Sequence, residues 1–195
     1  MLKWLSVFQS ALAREFGDRP TIGVLATVSP DNAAAGRCVV LRELTADGRL
    51  VFTTDVRSEK VHHLETNPSA ECVFWLPTLR LQFRIAGDAT IDATTATRSQ
   101  QWSKLSPATR FTFYGPPPGT KRESSTDRTN DTNSKNQSVQ SVKSVDDSPH
   151  PSFAVLVLSP IRVESLDLTT DPHTRTQFAR QDGWRPVAIR AIACD

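Results

Sequence analysis

Apolar residues recur along this chain with two periods. At the N-terminus Trp4, Phe8, Leu12 and Phe16 return every four residues with Leu5 beside them, which predicts an amphipathic helix ending near Gly17. From Thr21 to Val28 the run is short and almost continuously apolar, as in a buried strand, and Ser29-Pro30-Asp31-Asn32 closes it with a turn. Arg37 to Leu44 predicts the next strand, the turn over Thr45 to Gly48 makes a hairpin, and Leu50 to Thr54 returns. Glu71 to Leu76 is apolar and aromatic. Leu81, Phe83 and Ile85 then alternate with Gln82, Arg84 and Ala86, which is strand periodicity with one polar face.

Between these strands the period lengthens again. Ser58 stands where a helix N-cap is expected, for a helix from Glu59 to about Thr66 that Asn67-Pro68 stops. A helix is predicted from about Thr94 to Leu105, and a second from Pro107 to Phe113, since proline is welcome in a first helical turn. The Gly-Pro-Pro-Pro-Gly run ending at Gly119 breaks it. From about 120 to 150 Ser, Thr, Asn, Gln, Asp and Lys dominate and the apolar residues are isolated valines. Such a stretch buries too little surface to offset its ordering entropy, so it reads as a disordered surface insertion. Strand-like sequence resumes at Phe153 to Leu158 and again at Arg162 to Leu168. Thr174 to Ala179, the turn at Asp182-Gly183, and Trp184 to Ile189 predict a closing hairpin. Seven or eight short, mostly antiparallel strands with about four helices give a β-rich α+β class. The expected form is a barrel with peripheral helices, one domain over residues 1–195 interrupted by the polar insertion.

Composition narrows the function classes. The chain has 195 residues with 38% hydrophobic and 23% charged, and its net charge of +2 does not favour binding to nucleic acid or membrane by bulk charge. No apolar run reaches the ~18 residues of a membrane span, and the first residues lack the pattern of a signal peptide. Cys38, Cys72 and Cys194 are odd in number and far apart, which points to reduced thiols and a cytoplasmic location. Neither a Gly-rich phosphate loop nor a Gly-x-Ser-x-Gly elbow is present, and the adjacent pair His62-His63 does not have the spacing of a zinc site.

The densest chemistry lies from Arg37 to Lys60. Thr53, Thr54, Arg57, Ser58 and Lys60 fall where a strand runs directly into a helix start. Hydroxyls, fixed positive charge and free backbone N–H groups together are what a phosphate monoester needs. The same residues also fit a plain solvated helix start, with Ser58 as cap and Arg57 and Lys60 as surface charges. A cation in the first helical turn opposes the helix dipole, and an anion would resolve that conflict. Arg37 and Arg42 are five apart, hence on opposite faces of a regular strand. Gln82 and Arg84 share the polar face of theirs, where an amide can offer donor and acceptor to a flat heterocycle.

The ordered set Arg37-x-Val-Val-Leu-Arg42, Phe52-Thr-Thr-Asp-x-Arg-Ser-x-Lys60, Asn67-Pro68 and Gln82-Phe-Arg84-x-x-Gly87 resembles the pyridoxamine 5′-phosphate oxidase family, closest to its Alr4036-type FMN-binding subgroup. Trp102, Pro118-Gly119, Pro160, Arg175 and Trp184 fall in the expected order, so the likeness covers most of the chain outside the polar insertion. The resemblance implies an FMN-binding split β-barrel, a homodimer with FMN at the subunit interface, and a small-molecule substrate. It implies that Arg37 and Lys60 hold the FMN phosphate, with Ser58 and Arg57 in support. Val40, Leu41 and Arg42 would run along the flavin, Thr53 and Thr54 would meet the ribityl-phosphate region, and Gln82 and Arg175 would approach the ring. The oxidase proper has lysine at the position of Arg42, so Arg42 and Arg110 are the cations left for a substrate; no catalytic side chain and no metal is implied. Glu59 replaces a usual arginine, and the set that grips a pyridoxal phosphate has no counterpart between Trp102 and Tyr114. FMN is therefore carried over more fully than the vitamin B6 substrate. The activity implied is oxidation of an amine or alcohol, such as pyridoxamine or pyridoxine 5′-phosphate, with the flavin reoxidised by oxygen. The alternative is a non-catalytic FMN-binding module, a flavin sensor or store. A nucleic-acid-binding barrel using Trp4, Trp75 and Trp102 as stacking platforms is the remote third reading.

Overall fold

The computed structural model describes residues 2–120 and 147–190. Its elements are α1 (Lys3–Phe16), β1 (Thr21–Val28), β2 (Ala34–Leu44), β3 (Leu50–Asp55), α2 (Glu59–Thr66), β4 (Ser69–Leu76), β5 (Leu81–Asp92), α3 (Thr95–Ser103), α4 (Pro107–Phe111), β6 (Phe153–Asp167), β7 (Thr174–Ala179) and β8 (Val187–Arg190). All pairings are antiparallel, in the order β3-β2-β1-β4-β5-β6-β7-β8, and β3 also pairs with β6. The first six strands thus close into a barrel, and β7 and β8 extend from the far half of β6. Short turns make this possible. Gly48, at φ 89, supplies the left-handed turn between β2 and β3. Of the polar insertion expected over about 120–150, residues 121–146 lie outside the described residues. Among the described residues no helix is long and apolar enough to cross a membrane.

Two sequence readings change. The runs from Phe153 and from Arg162 are one 15-residue strand, not two. Its first half pairs with β3 and its second with β7, while β5 runs beside both. Pro160 lies at that change of partner, opposite Gly87, where the register against β5 slips, so its missing N–H falls at an interruption of the ladder. A Cβ on Gly87 would lie 2.1 Å from the Ser159 carbonyl oxygen, so only glycine admits this approach. The second change is in β1. Leu25 is fully buried, but Ile22 and Val24, on the other face, are 51% and 45% exposed. The core covers one side of this apolar strand, and no described element covers the other.

The barrel interior joins Leu25, Phe52, Cys72, Phe74, Phe83, Ile85 and Leu156 with Trp4, Leu5, Phe8 and Leu12 of α1 in one cluster. Phe8 sits 5.1 Å from Phe74 and 4.9 Å from Phe83 between ring centroids. A second cluster lies outside the barrel, where Trp102, Leu105 and Phe113 cover Val51, Phe153 and Val155. β3 and the first half of β6 are therefore buried on both faces. Together the two clusters fix the end of β3 and the start of α2.

Candidate functional site

Ser58 occupies the N-cap position of α2 in an extended conformation, as its sequence predicts, but its hydroxyl does not cap the helix. It donates to the Asp55 carbonyl at 2.6 Å. The first-turn N–H groups of α2 are thus left without a side-chain acceptor. Lys60 reaches back over this turn, and its Nζ donates to Ser58 Oγ at 2.9 Å and Thr54 Oγ1 at 3.2 Å. Thr54 and Ser58 are both buried. Burial, and then the charge of Arg37, draws the Lys60 ammonium below its ordinary value, with Asp55 opposing. Burial likewise lowers Arg37, with Glu59 opposing. Two cations therefore face each other in a half-dry site beside an uncapped helix start, and an anion placed there relieves both.

Arg37 is anchored by one nitrogen. Its Nη1 donates to Thr27 Oγ1 at 2.6 Å and to the Leu25 carbonyl at 3.3 Å. Thr27 Oγ1 in turn meets His63 Nδ1 at 3.0 Å. Sequence reasoning missed Thr27 and His63. The signal was available: the register centred on the turn after β1 sets Leu25 opposite Arg37 and puts Thr27 on the same face.

Thr53 points to the other face of β3. A bulge at Arg42 interrupts the pairing of β2 with β3, and Arg42 Nε lies 3.4 Å from Thr53 Oγ1. Arg42 lines an open cavity of about 280 Å³ with Val40, Leu41, Gln101, Lys104 and Leu105. Burial lowers its guanidinium below the ordinary value. Lys104 and Gln101 are held on the Glu43 carboxylate at 2.7 and 2.8 Å.

Residues 1–93 match the family model described as pyridoxamine 5′-phosphate oxidase, FMN-binding domain. A pyridoxine/pyridoxamine 5′-phosphate oxidase of a Nostoc species is 38% identical over 85 residues, which is 44% of this chain and 37% of that protein. The oxidase of the same description from Nostoc punctiforme is 35% identical over 105 residues, 54% of this chain and 46% of the relative. The chain thus spans less than half the length of these curated relatives. Over the whole fold, a pyridoxamine 5′-phosphate oxidase-related, FMN-binding protein from Nostoc punctiforme is 29% identical, with a TM-score of 0.78 across 98% of this chain and 99% of that one. Residues 1–93 are thus similar to the pyridoxamine 5′-phosphate oxidase FMN-binding domain, and the whole chain is similar to an FMN-binding protein related to that oxidase. PhzG from Burkholderia lata shares the fold at 18% identity and a TM-score of 0.70, covering 97% of this chain and 89% of its own.

FMN is the cofactor of the matched domain, and a phosphate dianion fits the cations that Arg37 and Lys60 bring together over buried Thr54 and Ser58 at the start of α2. Of the residues that the family resemblance assigned, Val40, Leu41 and Arg42 form a second group that lines the open cavity, with Thr53 beside Arg42; Val40 faces outward, and Leu41 packs against the barrel core. Gln82 and Arg175 form a third, lining a cavity of about 130 Å³ with Arg84, Glu164 and Leu166. Arg175 is ion-paired to Glu164, and Arg84 to Glu71 at 2.8 Å. β5 stands three strand spacings from β2, roughly 14 Å across the sheet. Two expected site residues are engaged elsewhere. Arg57 forks onto the Asp55 carboxylate, with Nη2 at 2.6 Å, and donates to the Gly115 and Phe113 carbonyls at 3.2 and 3.3 Å. Arg110 lies over the Trp102 ring and donates to the Trp102 and Ser103 carbonyls and to Asp147. It does not line the Arg42 cavity.

Proposed function

We propose that this chain is an FMN-dependent oxidoreductase that oxidises an amine or alcohol, pyridoxamine or pyridoxine 5′-phosphate being the substrates first to be tested. The observation that carries the reading is the Arg37–Lys60 pair over buried Thr54 and Ser58 at the uncapped start of α2. When bound, FMN supplies a two-electron acceptor for hydride from a substrate carbon, and oxygen returns it to the oxidised state. Arg37 and Lys60 hold the phosphate, and Thr54 and Ser58 orient Lys60. Arg42, half-dried at the mouth of its cavity, supplies positive charge toward the flavin edge or a substrate anion.

The working unit in this proposal is a homodimer with FMN at the interface. Ile22, Val24 and Trp75 are 51%, 45% and 46% exposed. By strand register Val24 lies between Cys38 and Val73, and Ile22 beside Val40, so these residues share one outer face. Val73 continues along the same face into Arg84 and Glu164. A second copy seated on this patch would bring the Gln82 and Arg175 group of one subunit toward β2 of the other. Within the aromatic stretch of β4 only Val73 and Trp75 are placed for that contact, since Phe74 and Leu76 are fully buried. Trp4 and Trp102 are core residues and offer no stacking platform for bases.

A second reading has its own support. Arg110 is engaged with backbone carbonyls and Lys104 with Glu43, which leaves the cavity poor in free cations for a substrate phosphate. On that ground the chain could bind flavin without turnover. The purified protein is expected to be yellow or to take up added FMN; colourless protein that binds none refutes both readings. Anaerobic mixing with pyridoxamine 5′-phosphate or pyridoxine 5′-phosphate separates them. Bleaching of the flavin supports the enzyme, and a flavin that stays oxidised with a panel of phosphorylated and free amines and alcohols supports the module.

A further inference from the structure

His63 is fully inside the protein, 7% exposed, and so is Thr27 at 2%. Neither is needed for the core: a threonine hydroxyl and an imidazole at these positions require polar partners, which they find in each other and in Arg37. The direction of these bonds follows from the donors available. Arg37 Nη1 can only donate, so Thr27 Oγ1 accepts from it. Among the described residues the Thr27 hydroxyl has no third partner, so its one hydrogen goes to His63 Nδ1. His63 Nδ1 is then an acceptor, and the imidazole carries its proton on Nε2. His63 also lines a surface groove with Asp31, Glu59 and His62.

The consequence falls on Arg37. With Nη1 fixed by Thr27 and by the Leu25 carbonyl, the guanidinium plane is set from behind. Among the described residues its Nε and Nη2 make no hydrogen bond, so the edge that binds two oxygens at once stays available. If His63 did not accept from Thr27, the hydroxyl would be free to turn its hydrogen toward Arg37, where two donors cannot bond. We propose that His63 is a positioning residue for the cofactor phosphate: through the Thr27 hydroxyl it locks Arg37 with its Nε/Nη2 edge turned to the anion. The inference rests on the FMN site proposed above and adds a residue that touches neither phosphate nor flavin.

The test compares FMN with riboflavin, which lacks the phosphate, by fluorescence titration of the flavin-free protein. Arg37→Ala is the control for the site itself and should cut the FMN preference by about a hundredfold. Thr27→Val and His63→Ala should each cut it by about tenfold and leave riboflavin affinity unchanged. His63→Asn, whose side-chain carbonyl stands where Nδ1 accepts, should restore the preference to within about threefold of the wild type. If Arg37→Ala lowers the preference while Thr27→Val and His63→Ala leave it at the wild-type ratio, the relay is wrong and the FMN site stands. If His63→Asn loses as much as His63→Ala, the role of His63 is packing and the inference is overturned. If Arg37→Ala leaves the ratio unchanged, the phosphate lies elsewhere and both fall.

Discussion

Trp75→Ala tests the shared-site reading through one side chain. Trp75 is 46% exposed on the outer face of β4, beside Val73 and in line with Ile22 and Val24. A buried aromatic withdraws about 150–250 Å² from water, so covering the exposed part of Trp75 would withdraw roughly 70–110 Å². At about 25 cal/mol per Å² this contributes about 2–3 kcal/mol per subunit. A two-fold interface counts the residue twice, giving about 4–5 kcal/mol and a dimer dissociation constant raised by roughly three orders of magnitude. Sedimentation velocity over a concentration series reads this directly. The wild type should be dimeric at micromolar concentration, and Trp75→Ala should be largely monomeric there. FMN affinity should fall with the dimer fraction if one subunit supplies Gln82 and Arg175 to the flavin on the other. An unchanged dimer constant in Trp75→Ala refutes the assigned face, and a wild-type monomer that binds FMN tightly refutes the shared site.

Lys60→Ala removes one charge-assisted contact and should weaken FMN by about 1.5–3 kcal/mol, with riboflavin affinity unchanged; equal effects on the two flavins would place the phosphate elsewhere. Asp55 gives a pH dependence. Burial pushes its carboxyl up, but the hydrogen bonds and charge of Arg57 outweigh burial and hold it below the ordinary carboxylate value. A depressed folded value means stability that is present above the unfolded carboxylate range and lost as pH falls through the folded value. Asp55→Asn should therefore be less stable than wild type at pH 7 by urea denaturation, and the gap should close toward about pH 3; a gap that stays constant refutes the assignment.

Much of this molecule was legible in its pattern because local rules and tertiary structure agree. The helix from Glu59 to Thr66 is bounded by Ser58 and by Asn67-Pro68, and the structure keeps those limits. The alternation of Leu81, Phe83 and Ile85 named the buried face of β5 correctly. What the pattern could not show was which neighbour would claim each polar group. Arg57 stands two residues from Asp55 in a tight turn, and the chain folds the guanidinium onto that carboxylate. Ser58 has the identity of a cap, but its hydroxyl finds the Asp55 carbonyl instead. Arg110 is drawn to carbonyls at the end of α3. The apolar run of β1 marks burial in its sequence, and one face of it meets that expectation only if another surface covers it. Pro160 reads as a strand breaker, and it is tolerated because β6 changes partners around it.

The charge balance at the proposed phosphate site is the point where this chain differs most from what the family resemblance implied. Arg57 was expected to support the phosphate, but its charge is already neutralised by Asp55. Arg37 and Lys60 therefore face a dianion as two cations, and Glu59 acts on Arg37 from the first turn of α2. Glu59 favours the empty protein: a carboxylate at a helix start suits the helix dipole and offsets part of the Arg37–Lys60 repulsion. The same carboxylate opposes the phosphate. Glu59→Arg reverses both effects. The flavin-free protein should lose about 0.5–1 kcal/mol of stability as the first turn gains a cation. FMN should bind about tenfold tighter, with little change for riboflavin, because the charge beside the anion changes sign. Thermal melts with and without FMN would show the empty form melting lower and the loaded form regaining the difference. A variant that loses stability and gains no preference for FMN would mean that Glu59 does not see the bound phosphate, and the anion would then have to lie on the far side of Lys60.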